Sequence, residues 1–382
     1  MYDRCNMLKI LRLTTADISL NSLIKGQLKY LSQEFEVVGV ASDTGVLQKV
    51  GEREGVRVIN VPMHREISLF ADLKSLFALI RLFKQERPDI VHSNTPKASL
   101  LGMIAAMFCR VPHRIYTVTG LRFETTHGIM RFVLKTMERI TCQCATKVIP
   151  EGDGVKAALL RERITRKPMQ KIHNGNINGV DLVWYNRTEE VEKRAVEIRG
   201  ESDAFTFVFI GRIVRDKGIV ELIEAFTRLS NERDNVKLRL VGRFEDKLDP
   251  LPAATREAID NCDKIEFDGY QADVRSYLAA SDVLVLPSYR EGFPNVVLQA
   301  GAMGLPVIVT DVNGSDEVIE SEVNGVIVPK YNSDALYESM SSMVENRERT
   351  AQMADAAREI IVDKFDQQDL WAATLEMYKT LG

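Results

Sequence analysis

The chain has 382 residues, 45% of them apolar and 27% charged, with a formal net charge of −4, a length and composition that exclude a disordered or fibrous protein and fit two globular domains. No run of about 18 apolar residues occurs, and the opening MYDRCNMLKILRLTT carries an apolar segment too short and too polar for a signal peptide or membrane span, so a cytoplasmic protein is expected. The cysteines (Cys5, Cys109, Cys142, Cys144, Cys262) are odd in number and scattered, against a disulfide framework, and Cys142 and Cys144 form a lone C-x-C without a second pair, so no metal site is expected.

In chain order, short runs rich in β-branched residues alternate with longer amphipathic stretches. The runs MLKILRLTT, FEVVGVAS, VRVINVP, DIVHSNT, HRIYTVTG and TKVIPEG are each bounded by turn residues. This is the pattern of βα units on a parallel sheet. Between the third and fourth runs, Leu69, Leu73, Leu76, Phe77, Ile80 and Phe83 recur at helical spacing and predict a buried helical face. Arg131, Lys135 and Arg139 repeat at i, i+4, i+8 beside Phe132, Val133, Leu134 and Met137, a basic amphipathic helix suited to an anionic bilayer. The polar segment YNRTEEVEKRAVEIRGESDAF then reads as a linker. A second series follows: FTFVFIGRI, VKLRLVGRF, DKIEFDGY, DVLVLPSY, LPVIVTDV and NGVIVPKY, with strong helical patterns closing the chain. The expected domains are residues 1–182, joined by a terminal helix at about 366–382, and residues 203–365.

Charge is divided between the halves. Residues 1–180 carry 27 Lys/Arg and 16 Asp/Glu, a balance of +11, whereas residues 181–382 carry 23 and 38, a balance of −15. A basic first half suits an anionic partner such as a membrane surface or a phosphorylated substrate.

Ligands of open α/β sheets bind beyond the carboxyl ends of the strands, so the loops after the strands hold the candidates. In FVFIGRIVRDKGIVELIEAF a strand runs into Gly211 and Arg212, with Lys217 just before the next helix. Gly211 allows close backbone approach, and the two cations beside a helix start suit a diphosphate. In SYREGFPNVVLQAGAMGLP, Glu291 opens a Gly-Phe-Pro loop, and Gln299 lies two helical turns further on and points back toward the same spot. Neither GxxxxGK[ST] nor a GxGxxG after the first strand occurs, which weighs against a P-loop enzyme or a dehydrogenase.

GRIVRDKG, SDVLVLPSYREGFPNVVLQAGAMGLPVIVTDVNGSDEVI and NGVIVP resemble, in order and spacing, the donor-site blocks of the family 4 retaining glycosyltransferases. PDIVHSNTPKASLLGMIAAMFCRVPHRIYTVTG is similar to bacterial members that build capsule, O-antigen or lipid-linked glycans. The resemblance implies a GT-B fold: two Rossmann-like α/β domains whose parallel sheets face a central cleft, with the C-terminal helix crossing back to the first domain. It further implies that Arg212 and Lys217 hold the diphosphate of a nucleotide sugar, that Glu291 meets the transferred sugar, and that the backbone amides of Phe293, Asn295 and Val296 line sugar and phosphate. Pro294 lies in the same loop and has no amide hydrogen to offer. No metal or other cofactor is implied, since the nucleotide sugar is itself a substrate, and no nucleic acid is expected as partner.

Two departures from the family pattern stand out. Gln299 occupies the place of a second glutamate that accepts from both ribose hydroxyls; an amide accepts through one oxygen, donates as well, and is neutral. Thr119 occupies the place of a histidine that many members carry near the donor sugar, leaving His127 as a conceivable substitute; His92 and His173 sit at strand ends without an implied role. On the acceptor side, Lys25, Gly26 and Gln27 look like the family's first loop and helix, and Lys97 follows another strand end. The expected activity is transfer from a nucleotide sugar to a lipid-diphosphate-linked or glycan acceptor, at the inner face of the plasma membrane. A sugar-nucleotide epimerase and a non-catalytic nucleotide-sugar binding protein are the alternatives.

Overall fold

The computed structural model describes residues 7–64, 66, 68–245 and 249–381; Cys5 lies outside them. Every strand expected from the sequence forms. The first sheet holds β1 (Lys9–Ala16), β2 (Glu36–Ser42), β3 (Arg57–Asn60), β4 (Ile90–Ser93), β5 (His113–Val118) and β6 (Lys147–Pro150), in the order β3-β2-β1-β4-β5-β6. The second holds β7 (Phe205–Ile210), β8 (Val236–Val241), β9 (Ile265–Gly269), β10 (Val283–Leu286), β11 (Val307–Thr310) and β12 (Gly325–Val328), in the order β12-β11-β10-β7-β8-β9. All neighbouring pairs are parallel; Leu11, for example, lies opposite Val38 on one side and Val91 on the other. The two sheets have the same doubly wound order. Each therefore has one point where the chain reverses its direction of winding: between β1 and β4, and between β7 and β10.

The chain divides into two units, Met1–Asn178 with Gln368–Gly382, and Gly179–Gln367. In the first, helices cover both faces of the sheet, which is why β1 and β4 are continuous buried runs rather than alternating ones. Leu11, Leu13, Val91, Met103 and Leu159 fill one side, and Ile10, Leu28, Ile90 and Ile149 the other. The terminal helix, Gln367–Lys379, returns to this unit on the second of those sides, where Tyr378 packs among them and Trp371 reaches Asn178. The core of the second unit is built on Phe207, Phe209, Phe226, Leu284 and Ile308. The polar segment expected as a linker instead holds a helix, Glu189–Arg199, capped by the Thr188 side chain and belonging to the second unit. Its buried Val191 and Ala195 give it a face to pack with, a signal too sparse to stand out among its charges.

The helix Leu69–Glu86 forms as expected, but on a different face. Its buried stripe is Ser75, Leu79, Leu82 and Phe83, while Leu69, Leu73 and Phe77 stand exposed. The helix is apolar around most of its circumference, so spacing alone selects the wrong side.

Candidate functional site

In the second unit the loops after β7 and β10 flank the reversal point. The chain leaves β7 at Gly211, whose N–H is still bonded to Val241 O at 3.0 Å, and turns through Arg212 to a short 3-10 turn, Arg215–Lys217. Gly218 then starts the helix Ile219–Glu232 from a left-handed conformation (φ 68°), and a Cβ there would lie 1.9 Å from Pro287 O. Only glycine lets the β7 loop sit this close to the end of β10.

That contact sets up the site. Lys217 Nζ donates to Glu291 Oε1, with both side chains largely buried. Arg212 reaches the other way and pairs with Glu245 at 2.6 Å, its guanidinium half exposed. Arg290 pairs with Asp216 at 3.1 Å, and Tyr289 donates to both carboxylate oxygens of Glu221 while stacking on Tyr331. Burial and the Glu221 carboxylate push the Tyr289 phenol well above its ordinary range, so it stays a protonated donor.

The helix Asn295–Ala302 follows directly, and its first N–H groups have no partner within the helix. Asn295 and Val296 stand there, half-buried, and the loop from β11 closes over Pro294, where a Cβ on Gly314 (φ 79°) would come within 2.7 Å of Gly292 O. The Phe293 side chain is core, edge-on to Phe365 at 5.7 Å, so only its backbone is available to a ligand. Gln299 is half-buried on the second turn of the helix, and its side chain makes no hydrogen bond among the described residues. The structure thus gathers Gly211, Arg212, Lys217, Glu291, Phe293, Pro294, Asn295, Val296 and Gln299 around the ends of β7 and β10. Sequence reading missed Glu245, which holds Arg212 from the end of β8, and Arg243, which lies over the Tyr270 ring at 4.3 Å beyond β9. Neither has a local sequence signal, because each partner is brought in by a neighbouring strand.

The residues expected on the acceptor side are placed less uniformly. Lys25 is exposed. Gly26 has φ 83°, and a Cβ on it would lie 2.5 Å from the Trp371 ring; its glycine serves the packing of the terminal helix. Lys97 is buried, and its ammonium meets both oxygens of Asp72 at 2.6 Å and Glu66 O at 2.8 Å, using all three of its protons. It is therefore not the free cation the sequence suggested. Thr119 Oγ1 donates to Asn94 O at 2.8 Å, and His127 is exposed just ahead of the helix Gly128–Cys144. His92 is buried in a network of its own: its Nδ1 faces Arg12 and Tyr378, its Nε2 lies 2.7 Å from Thr117 Oγ1, and burial followed by the Arg12 charge holds its pKa well below the ordinary range. A histidine locked in this way is a structural group.

The basic stripe of that helix also turns inward. Arg131 and Lys135 both pair with Glu162, at 2.9 and 2.8 Å, and Arg139 donates to the carbonyls of Glu162 and Arg163. What this helix exposes is apolar: Ile129 (84%), Met130 and Phe132 (68%). Among the described residues no helix is long and apolar enough to cross a membrane.

Comparison with known proteins decides the family. The glycosyl transferases group 1 family matches residues 191–360, and the glycosyl transferase 4-like domain matches residues 27–175. The capsular polysaccharide biosynthesis glycosyltransferase CapM of Staphylococcus aureus is 34% identical, over 97% of each chain. The chain belongs to the family 4 glycosyltransferases of GT-B fold. It is similar, at 29% identity over 88% of this chain and 89% of the other, to the Escherichia coli UDP-Gal:alpha-D-GlcNAc-diphosphoundecaprenol alpha-1,3-galactosyltransferase. Among solved structures, Anabaena HepE with UDP and glucose superposes with a TM-score of 0.82, at 20% identity over 98% and 100% of the two chains. WaaG, a glycosyltransferase of lipopolysaccharide biosynthesis, superposes at 0.75, with 18% identity over 97% and 99%. The enzyme is a glycosyltransferase, and the two Rossmann-like folds implied by the sequence are present.

Proposed function

We propose that this glycosyltransferase moves a sugar, with retention of configuration, from a UDP-sugar to a lipid-diphosphate-linked acceptor in the assembly of a bacterial surface polysaccharide. The observation that carries this reading is the convergence of Arg212, Lys217 and Glu291 at the reversal point of the second sheet. Two cations and a helix N-terminus suit a diphosphate, and one carboxylate beside them suits sugar hydroxyls. In the transfer, the bond from the anomeric carbon to the phosphate oxygen breaks and a bond to the acceptor oxygen forms on the same face. The acceptor's hydroxyl proton passes to the departing phosphate oxygen. Arg212 and Lys217 stabilise the charge that builds on the diphosphate, the kind of electrostatic help worth several kcal/mol, on the order of 3. No metal takes part in this scheme.

Relatives support the donor and acceptor classes. The Escherichia coli relative uses UDP-Gal and a diphosphoundecaprenol acceptor, and a Campylobacter jejuni relative, 24% identical, acts on a diphospho-undecaprenol-linked sugar. Such an acceptor lies in a membrane, and the exposed apolar side chains of the first unit (Leu69, Phe70, Ile129, Phe132) offer it a peripheral contact at the inner face of the plasma membrane. Incubating the enzyme with radiolabelled UDP-sugars and a lipid-diphosphate acceptor tests the proposal. Label in the lipid supports it; a new UDP-sugar instead indicates an epimerase, and binding without either product indicates a non-catalytic module, the outcome that Gln299 would favour.

A further inference from the structure

The first unit has a second reversal point, and a cavity of about 290 Å³ opens there, beyond the ends of β1 and β4. Its walls are Leu100, Phe123, Leu134 and Met137, with Thr15 and Thr95 at the strand ends. The two threonine hydroxyls bond to each other at 2.8 Å. Lys97 is neutralised by Asp72, and Glu138 accepts from Tyr116 at 2.8 Å, burial having pushed its pKa up to about 7. The interior therefore has its polar groups satisfied internally and no net demand for an anion. Arg122 is different: it is exposed, with no ion pair among the described residues, and so places one cation at the edge of the lining.

The helix Gly128–Cys144 connects this cavity to the surface. Met130, Leu134 and Met137 follow at i, i+4, i+7 and form one stripe, which begins exposed at Met130 and ends inside the cavity. Beside it stand the exposed Ile129 and Phe132. A hydrocarbon track leading from an apolar surface past a single cation into a charge-satisfied hollow matches the polarity of a prenyl diphosphate.

Resting on the lipid-acceptor reading above, we infer that this cavity receives the first isoprenoid units of the acceptor's chain, with Arg122 against its diphosphate. Calorimetric titration of the full chain with inorganic diphosphate, dimethylallyl diphosphate and geranyl diphosphate tests this. Geranyl diphosphate is expected to bind at least about tenfold more tightly than dimethylallyl diphosphate, because each buried methylene adds to affinity. Leu100→Phe and Met137→Phe, which fill the cavity with apolar volume, should each remove that chain-length preference. Arg122→Ala should weaken all three ligands alike and leave the preference intact. UDP, titrated into the same proteins, should bind unchanged, which keeps the donor reading separate from this one. Equal affinity for geranyl and inorganic diphosphate, or a chain-length preference that survives both filling variants, overturns the inference.

Discussion

Lys217 Nζ donates directly to Glu291 Oε1, so in the empty site the cation meant for the donor's diphosphate and the carboxylate meant for its sugar are held on each other. A bound donor must separate them, and in doing so gives each its own partner. Glu291→Gln removes the competitor for Lys217 while keeping its shape. UDP, which lacks the sugar, is then expected to bind more tightly, by about threefold to tenfold, and more steeply with falling salt, while transfer slows by roughly a hundredfold. Calorimetry and initial rates read the two effects, and a loss of UDP affinity in this variant would place Glu291 on the nucleotide instead.

Arg212→Ala and Lys217→Ala remove charge stabilisation from the leaving diphosphate. Each is expected to lower kcat by about a hundredfold or more, a typical cost of removing one such contact. Lys217→Ala has the further consequence of leaving Glu291 without its cation in a largely buried position. Its thermal stability should therefore fall more than that of Arg212→Ala, whose partner Glu245 is left closer to solvent. Unchanged rates in both variants would remove the diphosphate assignment.

Gln299→Glu restores an acceptor-only group with a charge. If the ribose hydroxyls reach this turn of the helix, UDP affinity rises, because a carboxylate forms stronger hydrogen bonds with two hydroxyls than an amide does. A weaker affinity by calorimetry would mean that the amide nitrogen makes a contact of its own.

Gly218→Ala tests the backbone beneath the site. The added Cβ would stand 1.9 Å from Pro287 O on a residue with φ 68°, so the loops after β7 and β10 must move apart. A cost of roughly 2 kcal/mol or more is expected, together with weakened UDP binding as Lys217 and Glu291 lose their relative placement. Denaturant unfolding and UDP titration of the one variant measure both.

These tests fall where sequence and structure agree least evenly. All twelve strands were legible because parallel strands covered on both faces are continuous buried runs, and β7, FTFVFI, shows this at a glance. The donor loops were legible because their chemistry is local: a glycine after a strand, a cation before a helix, a Gly-Phe-Pro turn. Pairing was not. Lys217 and Glu291 are 74 residues apart, Lys97 and Asp72 are 25 apart, and Lys135 finds Glu162 at 27, none of them at a spacing that a local pattern reads. For that reason the basic stripe on Gly128–Cys144 suggested a charged membrane face, where the structure shows ion pairs within the unit and exposed apolar residues. Helix Leu69–Glu86 failed on the other side of the same problem: apolar nearly all round, it gave no way to tell its buried stripe from its exposed one.

The first unit also holds two titrating groups that act in opposite senses. His92 is buried against Arg12, and its pKa lies well below the ordinary 6.5; below that value the unfolded chain binds a proton that the folded one refuses, so His92 makes stability fall as pH falls. Glu138 is pushed by burial from the ordinary 4.5 up to about 7, so between those values the folded chain holds the extra proton, and stability falls as pH rises. From pH 4.5 to 6.5 the two slopes, each up to about 1.4 kcal/mol per pH unit, oppose each other. Wild-type stability is therefore expected to be nearly level across this window. Glu138→Gln removes one slope and should leave stability rising with pH; His92→Gln removes the other and should leave it falling. The readout is the slope of unfolding free energy against pH, which remains informative even if either variant is less stable at every pH. Parallel slopes in all three proteins would mean that neither group titrates where its surroundings place it.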